Sequence, residues 1–238
     1  MKIHLSFNKR GITLIELLVA FVIGAMVVAG IYRIFVAQSR AYTVQDQVVE
    51  VQQNIRSGME ILLKYLRMAG YNGNRTPSRL LTSIFPGDFA FNVSDDAVRI
   101  EYAINGQLNT RVFFRNAPTA ELMEDLYIDG IQQPGFPTAL LGNVNALTFS
   151  YGVDGRAGLD GTQDGTLDDF NNDGNIDDAD FVPAATVTAG NLNVIGVRVL
   201  LTARPETLNA EDDRFKMVQP RTLVSAITIR NLCLFKTN

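Results

Sequence analysis

The sequence predicts an α+β fold in which a long N-terminal helix packs on an antiparallel β-sheet. Two observations carry this prediction. An almost unbroken apolar run extends from Ile12 to Ala37 and passes into an apolar stripe with the spacing of an amphipathic helix. Several β-rich segments separated by turn residues follow in the remainder of the 238 residues.

Residues 1–11 form a short polar leader that carries three basic residues and no acidic one, and it ends at Gly11. A secretory signal peptide with a cleavage site near Ala29 and a plain transmembrane anchor of about 20 apolar residues are both possible interpretations. Neither explains Glu16, which stands inside the apolar run. An unpaired carboxylate is costly in lipid, so Glu16 is a candidate functional residue.

The segment Gly-Ile-Thr-Leu-Ile-Glu-Leu-Leu-Val-Ala, which begins at Gly11, resembles the processing and methylation signature of type IV pilins and type II secretion pseudopilins. The resemblance covers about residues 9–37. It implies that a prepilin peptidase cuts after Gly11 and N-methylates Ile12. It also implies that Glu16 pairs with the N-terminal amine of a neighbouring subunit during assembly. Such a pair would act as a register device, because a misplaced subunit leaves a buried charge unpaired.

The predicted helix extends from Ile12 to about Ala69 and has two halves. Residues 12–37 are apolar on all sides, which suits a membrane or the core of a filament. Residues 38–70 are amphipathic, and glycines end the helix. The apolar stripe of the second half consists of Val44, Val48, Val51, Ile55, Met59, Leu62, Leu66 and Ala69.

Residues 71–238 are predicted to form a β-rich head. Asn105-Gly106 between two alternating segments is a strong hairpin signal. Residues 75–95 are interpreted as a loop, and residues 116–142 as a mixed region. The predicted strands are Val98–Ile104, Thr110–Arg115, Asp125–Asp129, Val144–Tyr151, Val194–Ala203 and Thr222–Leu232.

Two further segments refine the resemblance. Leu66–Tyr71 and Pro220–Leu232 are similar to the helix end and last strand of PilW-type minor pilins and the related J-type pseudopilins. This similarity implies a minor, tip-associated subunit. Cys233 is the only cysteine, so the chain cannot form the intrachain disulfide that closes a loop in many major pilins.

Composition excludes several function classes. The only histidine is His4, which lies in the leader, so the processed chain cannot form a Ser-His-Asp or Cys-His site or a histidine-ligated zinc site. An enzymatic role is therefore not expected. Loss of the three basic leader residues lowers the formal charge from −4 to −7, which argues against direct nucleic-acid binding.

The acidic segment 154–180 contains nine aspartates and one arginine. Its last twelve residues match a calcium-binding loop in register, because a hard cation needs six to eight oxygens and alternate residues of a tight turn supply them. A solvated loop without metal is the alternative, and a second partial register begins at Asp160. The predicted structural calcium ligands are Asp169, Asn171, Asp173, Asn175 (through its carbonyl), Asp177 and Asp180.

Together these features predict a minor pilin or pseudopilin that takes part in the initiation, assembly or capping of a type IV pilus-like filament. Its expected partners are prepilin peptidase, other minor and major pilins or pseudopilins, and inner-membrane lipid. The expected location is the inner membrane, with a single pass and the head in the periplasm, and then the filament. A calcium-dependent pilus-tip adhesin and a membrane-anchored periplasmic enzyme are the alternatives. The sequence leaves open whether the filament belongs to a pilus or to a type II secretion system.

Overall fold

The computed structural model describes residues 11–71, 84–86, 95–154, 165–190, 193–205, 219–229 and 231. The leader up to Arg10 and Cys233 lie outside this part of the chain. By its internal contacts the chain divides into two units, residues 1–46 and residues 47–238.

A helix, α1, spans Leu14–Leu66 and confirms the predicted long N-terminal helix. In the first unit its apolar segment is exposed, and α1 is long and apolar enough to cross a membrane by length and composition. The predicted bounds were slightly too wide: Thr13 precedes the first helical residue, and residues 67–70 form turns. Gly70 has φ +74°, a conformation that favours glycine at the end of a helix.

The strands are β1 (Ile84–Pro86), β2 (Ala97–Ile104), β3 (Gln107–Asn116), β4 (Glu121–Ile128), β5 (Ile131–Gln132), β6 (Thr138–Leu141), β7 (Val144–Asp154), β8 (Asn193–Ala203) and β9 (Arg221–Thr228). Among the described residues of the second unit they form two antiparallel sheets, where the sequence predicted one. The first sheet has the order β1-β2-β3-β4-β5, with β6 paired to β4, and the second has the order β7-β8-β9. A short helix, α2 (Ala184–Gly190), precedes β8.

The hairpin prediction at Asn105-Gly106 is confirmed. Ile104 pairs with Gln107, and the two turn residues have φ values of 53° and 80°, which a two-residue turn of this kind requires. Other predictions were wrong in extent. Strand β1 lies inside the predicted loop 75–95, and the predicted strand Asp125–Asp129 is the end of the longer β4. Strand β9 ends at Thr228, four residues before the predicted Leu232.

The apolar stripe of α1 forms the core of the second unit with side chains from both sheets. Val51, Ile55, Met59, Leu62 and Leu66 are buried there. Gly58 lies where the helix meets both sheets: a Cβ at this position would lie 3.4 Å from Leu141 of β6 and 3.6 Å from Leu201 of β8. The stripe therefore positions α1 against the two sheets at once.

A partly buried polar network joins α1 to the first sheet. The guanidinium carbon of Arg111 lies 3.9 Å from the centre of the Tyr65 ring, and its Nε donates to the Tyr102 hydroxyl at 2.7 Å. Arg111 also forms an ion pair with Glu124, which is buried. Because a buried charge needs its partner, this network disfavours other alignments of α1 on the sheet.

The segment after β9 caps the C-terminal end of α1. The side-chain amide of Asn231 donates to the carbonyls of Arg67 and Ala69 at 3.1 and 3.2 Å. The backbone N–H of Gly70 donates to the carbonyl of Glu101 on β2 at 3.0 Å. Carbonyls at a helix end lack intrahelical partners, so these contacts fix where α1 ends in the head.

Candidate functional sites: the processing segment and the acidic loop

The predicted processing site lies just before α1. Gly11 and Ile12 are exposed and non-helical, and a Cβ at Gly11 would meet nothing within 4 Å. The described backbone around the predicted cleavage point is therefore accessible to a peptidase. It also lies outside the helix that follows, which begins at Leu14.

Thr13 and Glu16 form a capping box at the start of α1. The backbone N–H of Thr13 donates to the Glu16 carboxylate at 3.4 Å, and the backbone N–H of Glu16 donates to the Thr13 hydroxyl at 3.4 Å. The Glu16 carboxylate gives the Thr13 N–H a partner at the helix start, whereas the Glu16 N–H also donates to the Thr13 carbonyl at 3.1 Å. The capping role of Thr13 was not predicted, although the Thr-x-x-Glu spacing is a known signal for a helix start.

The capping box also places the Glu16 carboxylate next to the predicted new N-terminus. Its partner N–H belongs to Thr13, the residue after Ile12. Cleavage after Gly11 would create an α-amine on Ile12, one residue from that hydrogen bond. The carboxylate has a local partner in the single chain, and it is exposed in the first unit, where an amine from outside can reach it.

The acidic loop, which is the described part of the acidic segment (residues 165–180), is attached to β7 at both of its ends. At its entry, the N–H of Asp168 donates to the carbonyl of Val153 at 2.9 Å. At its exit, Val182 and Tyr151 exchange two backbone hydrogen bonds of 2.8 and 2.9 Å. Residues 169–180 therefore leave and return to the same strand, which closes the loop without a disulfide.

Two glycines make room for this attachment. Gly152 of β7 and Gly196 of β8 are paired across the second sheet. The Leu167 side chain fills the space above them: a Cβ at Gly196 would lie 3.0 Å from Leu167, and one at Gly152 would overlap it. Phe181 packs on Gly152 from the other end of the loop, 3.2 Å from the same hypothetical Cβ. The role of these two glycines was not predicted, because each lies inside a strand with no turn signal.

The predicted ligands at the first three alternate positions fold into one turn. The Asp169 carboxylate accepts from the N–H groups of Asp173 and Gly174 at 3.2 and 2.6 Å. The Asn171 side-chain oxygen accepts from Asp173 at 2.9 Å, and Asp173 accepts from the N–H of Asn175 at 2.8 Å. Gly174 has φ +87°, which explains glycine at this tight turn.

The last two predicted side-chain ligands fix the exit of the loop. Asp180 is only 2% exposed and accepts from the N–H groups of Phe170, Asn171 and Asp177 at 2.7, 3.2 and 2.7 Å. Burial alone would raise the pKa of Asp180, but these backbone donors together hold it below its ordinary value. Asp177 caps a single 3₁₀ turn at residues 178–180, and Asp180 completes the reciprocal cap.

An ion pair ties the loop to the second sheet. Arg198 of β8 donates to the carboxylate of Asp178 at 2.7 Å. Asp178 is not among the predicted ligands, and its side chain is largely exposed. This contact neutralises one of the loop aspartates and holds the 3₁₀ turn against the sheet.

The donor chemistry of the loop fits a hard cation, but the residues are not arranged as a preformed centre. Among the described residues, no group of three or more His, Cys, Asp or Glu is placed to hold a metal ion. Asp169, Asn171 and Asp173 keep free lone pairs beside their hydrogen bonds, and all supply oxygen. Asp180 accepts three backbone N–H groups and acts as an anchor. Asp160, Thr162 and Asp164 of the second partial register lie outside the described residues.

Comparison with known proteins identifies the N-terminal segment. The family model of the prokaryotic N-terminal methylation motif matches residues 6–32, which include Gly11, Ile12 and Glu16. No curated protein and no solved structure matches the chain significantly.

The motif supports a type IV pilin-like prepilin, and the exposed apolar helix and the helix-on-sheet fold are consistent with one. A motif of this type implies processing by a prepilin peptidase and association with pilins. The apolar segment that follows it is consistent with membrane anchoring.

Proposed function

We propose that this protein is a minor pilin or pseudopilin that takes part in the initiation, assembly or capping of a type IV pilus-like filament. The observation that carries the proposal is the methylation motif at residues 6–32, which leads into an exposed apolar helix. An all-apolar helix surface needs lipid before assembly and neighbouring helices afterwards. Its role is assembly rather than catalysis, with the head in the periplasm until the subunit leaves the inner membrane.

The minor role is supported by the two segments that resemble PilW-type and J-type proteins. They meet in the structure, because Asn231 caps the carbonyls of Arg67 and Ala69 at the end of α1. The resemblance therefore falls on one structural feature, the attachment of the chain after β9 to the end of the helix. The lack of a second cysteine also separates the chain from the disulfide-closed major pilins.

Mass spectrometry of the protein co-expressed with a prepilin peptidase tests the proposal. The mature chain should begin at Ile12 and be one methyl group heavier than the unmodified fragment. Gly11→Ala should accumulate as the uncleaved precursor. Gly24→Ala is a matched control, because this glycine also has open space around it and lies within α1. Mature-sized protein from the Gly11 variant would contradict the proposal.

We propose in addition that the loop Asp169–Asp180 binds calcium as a structural ion. The oxygen donors at alternate positions of one turn, with Gly174 at the sharp bend, support this assignment. A calcium-dependent tip adhesin is the alternative use of the same loop. The two uses differ in a binding assay: an adhesin requires calcium to capture a ligand, whereas a structural ion only raises the stability of the head.

A further inference from the structure

The polarity of the N-terminal segment alone does not mark where α1 should begin. The apolar run starts directly after Gly11, and before Tyr32 its only polar residues are Thr13 and Glu16. Nevertheless α1 begins at Leu14, directly after Thr13. The two polar residues occupy the N-cap and third helical positions, which are the positions of a capping box. The cap is therefore the local feature that defines the helix start.

The hydrogen bonds of this cap stop the helix at Thr13. Its carbonyl accepts from the N–H groups of Glu16 and Leu17 at 3.1 and 3.2 Å. Its hydroxyl also accepts from the Glu16 N–H at 3.4 Å. If the helix continued by one more residue, that same N–H would donate to the carbonyl of Ile12 instead. The Thr13 N–H is directed to the Glu16 carboxylate at 3.4 Å, so the cap occupies the donors that upstream carbonyls would need.

The position of the helix start matters for the peptide bond between Gly11 and Ile12. In a helix, the carbonyl of Gly11 would accept from the N–H of Ile15 and lie within the first turn. A peptidase would then have to open that turn before it could reach the carbonyl carbon. In the structure, Gly11 and Ile12 are exposed and non-helical, and Thr13 is the single residue between them and α1. The capping box therefore keeps the predicted cleavage site outside the helix and places a formed helical turn next to it.

We propose that Thr13 is a positioning residue for cleavage after Gly11. Its cap holds the start of α1 at a fixed distance from the scissile bond, so the peptidase binds an accessible bond followed by a helical turn that is already formed. Without the cap, this turn must be ordered on binding, and that cost lowers the affinity for the precursor. Thr13 acts here through the backbone of Glu16 and not by contact with the peptidase. This inference rests on the proposed role as a prepilin.

The pairing of Thr13 with Glu16 supports this role over an assembly role alone. A charge contact between subunits explains Glu16, but it does not require a hydroxyl three residues earlier. The reciprocal hydrogen bonds do require an acceptor at Thr13, because an apolar side chain of the same shape cannot cap a helix. An apolar environment increases the benefit of the cap, since unpaired backbone donors are most costly where water is absent.

Cleavage kinetics of the full-length precursor in detergent micelles, with a purified prepilin peptidase, test the inference. Thr13→Val keeps the shape of the side chain but removes the acceptor. It should raise KM about fivefold, the ratio expected for loss of one N-cap. The value of kcat should change little, because the cap stabilises the bound precursor and the transition state equally. Thr13→Asn changes the shape but provides a good N-cap, so its KM should equal that of the unmodified precursor.

Hydrogen exchange of the Glu16 amide in the same precursors shows whether the cap is formed. KM should follow this exchange and not the size of the side chain. Thr13→Ser and Thr13→Asn should keep the amide protected and KM low, whereas Thr13→Val and Thr13→Ala should raise both exchange and KM. Thr43→Val is the matched control: it removes the hydroxyl of another exposed threonine of α1, which donates to the Ser39 carbonyl within the helix, and it should leave KM unchanged.

Three results would overturn the inference. An unchanged KM for Thr13→Val would show that the cap does not assist cleavage. An equally high KM for Thr13→Asn would show that the peptidase recognises the threonine side chain itself. An effect on kcat alone would place Thr13 in the chemical step. Cleavage before Ile12 with equal kinetics in every variant rejects only the positioning role, whereas no cleavage of the unmodified precursor rejects the prepilin role as well.

Discussion

Thr13 and Glu16 satisfy each other's backbone N–H groups through two reciprocal hydrogen bonds of 3.4 Å at the first turn of α1. Glu16 thus caps the N-terminus of its own helix and is also the expected partner of the N-terminal amine of a neighbouring subunit. These two roles make different demands on the side chain. The cap needs an oxygen acceptor, whereas the contact between subunits needs a negative charge. Substitutions can therefore separate them.

Thr13→Ala should loosen the start of α1 by about 1 kcal/mol, the usual cost of losing an N-cap side chain. Hydrogen exchange of the amides of residues 14–17 in detergent micelles measures this loss as faster exchange. Thr13→Ser should restore protection, because serine provides the same hydroxyl. Thr43→Ala is the control: its hydroxyl donates to the Ser39 carbonyl within the helix and caps nothing. Unchanged exchange in Thr13→Ala would refute the capping role.

Glu16→Gln should keep the cap and lose the charge. The glutamine oxygen can still accept from the Thr13 N–H, so exchange at the helix start and processing at Gly11 should stay normal. Incorporation into filaments should fall by at least about tenfold, since an uncompensated buried charge costs several kcal/mol. Co-pelleting of the tagged subunit with sheared filaments measures this. Glu60→Gln, another exposed glutamate of α1, should incorporate normally; equal incorporation of both variants would remove Glu16 from assembly.

The sequence allowed prediction of the elements with strong periodic signals. The apolar residues from Val51 to Leu66 have the spacing of an amphipathic helix, and Asn105-Gly106 is typical of a two-residue hairpin turn. The split into two sheets was not predictable, because it depends on which strands pair: β6 pairs back to β4, with an irregular register at Leu122, whereas β7 pairs with the distant β8. Strand β1 has only three residues and ends in proline, so it gives no alternation to detect.

The candidate sites were predictable to a similar degree. The spacing of Asp169, Asn171 and Asp173 places their side chains in one turn, as expected from the loop pattern. The burial of Asp180 and the packing of Leu167 against Gly152 and Gly196 depend on tertiary structure, which a local sequence pattern does not predict. The capping role of Thr13 was readable from the sequence and was missed.

Gly152→Ala should destabilise the head by about 1–3 kcal/mol, the usual cost of overpacking. The new methyl group would overlap the Leu167 side chain, which holds the entry of the acidic loop on the sheet. Thermal denaturation of the full-length protein in micelles should show a lower melting temperature. Leu167→Ala in the same chain should recover part of the loss by making room. Gly142→Ala, which meets nothing within 4 Å, should melt like the unmodified protein.

Asp180 should make the head more stable at neutral pH than at acid pH. Its folded pKa is lower than its unfolded value, because three backbone N–H donors outweigh the effect of burial. The contribution is therefore complete above the unfolded pKa and is lost as the pH falls through the folded pKa. Melting curves of the unmodified protein and Asp180→Asn between pH 7 and pH 3 should differ most at pH 7, and the difference should shrink once the pH falls below the unfolded pKa. A constant difference across this range would contradict the assignment.

Calcium should raise the melting temperature of the full-length protein in micelles, with a midpoint on the order of 10⁻⁴–10⁻³ M, the range of extracellular calcium modules. Neutralising crowded carboxylates and tying them to one ion stabilises the folded loop relative to the unfolded chain. Asp169→Ala with Asp173→Ala should abolish the shift, because both carboxylate donors of the first turn are lost. Asp46→Ala is the control, since this exposed aspartate lies in α1, outside the loop. Magnesium at the same concentration should have a smaller effect, because it demands a more regular set of ligands. Identical melting with calcium and with chelator would reject the calcium site and leave Asp180 and Arg198 as the contacts that hold the loop.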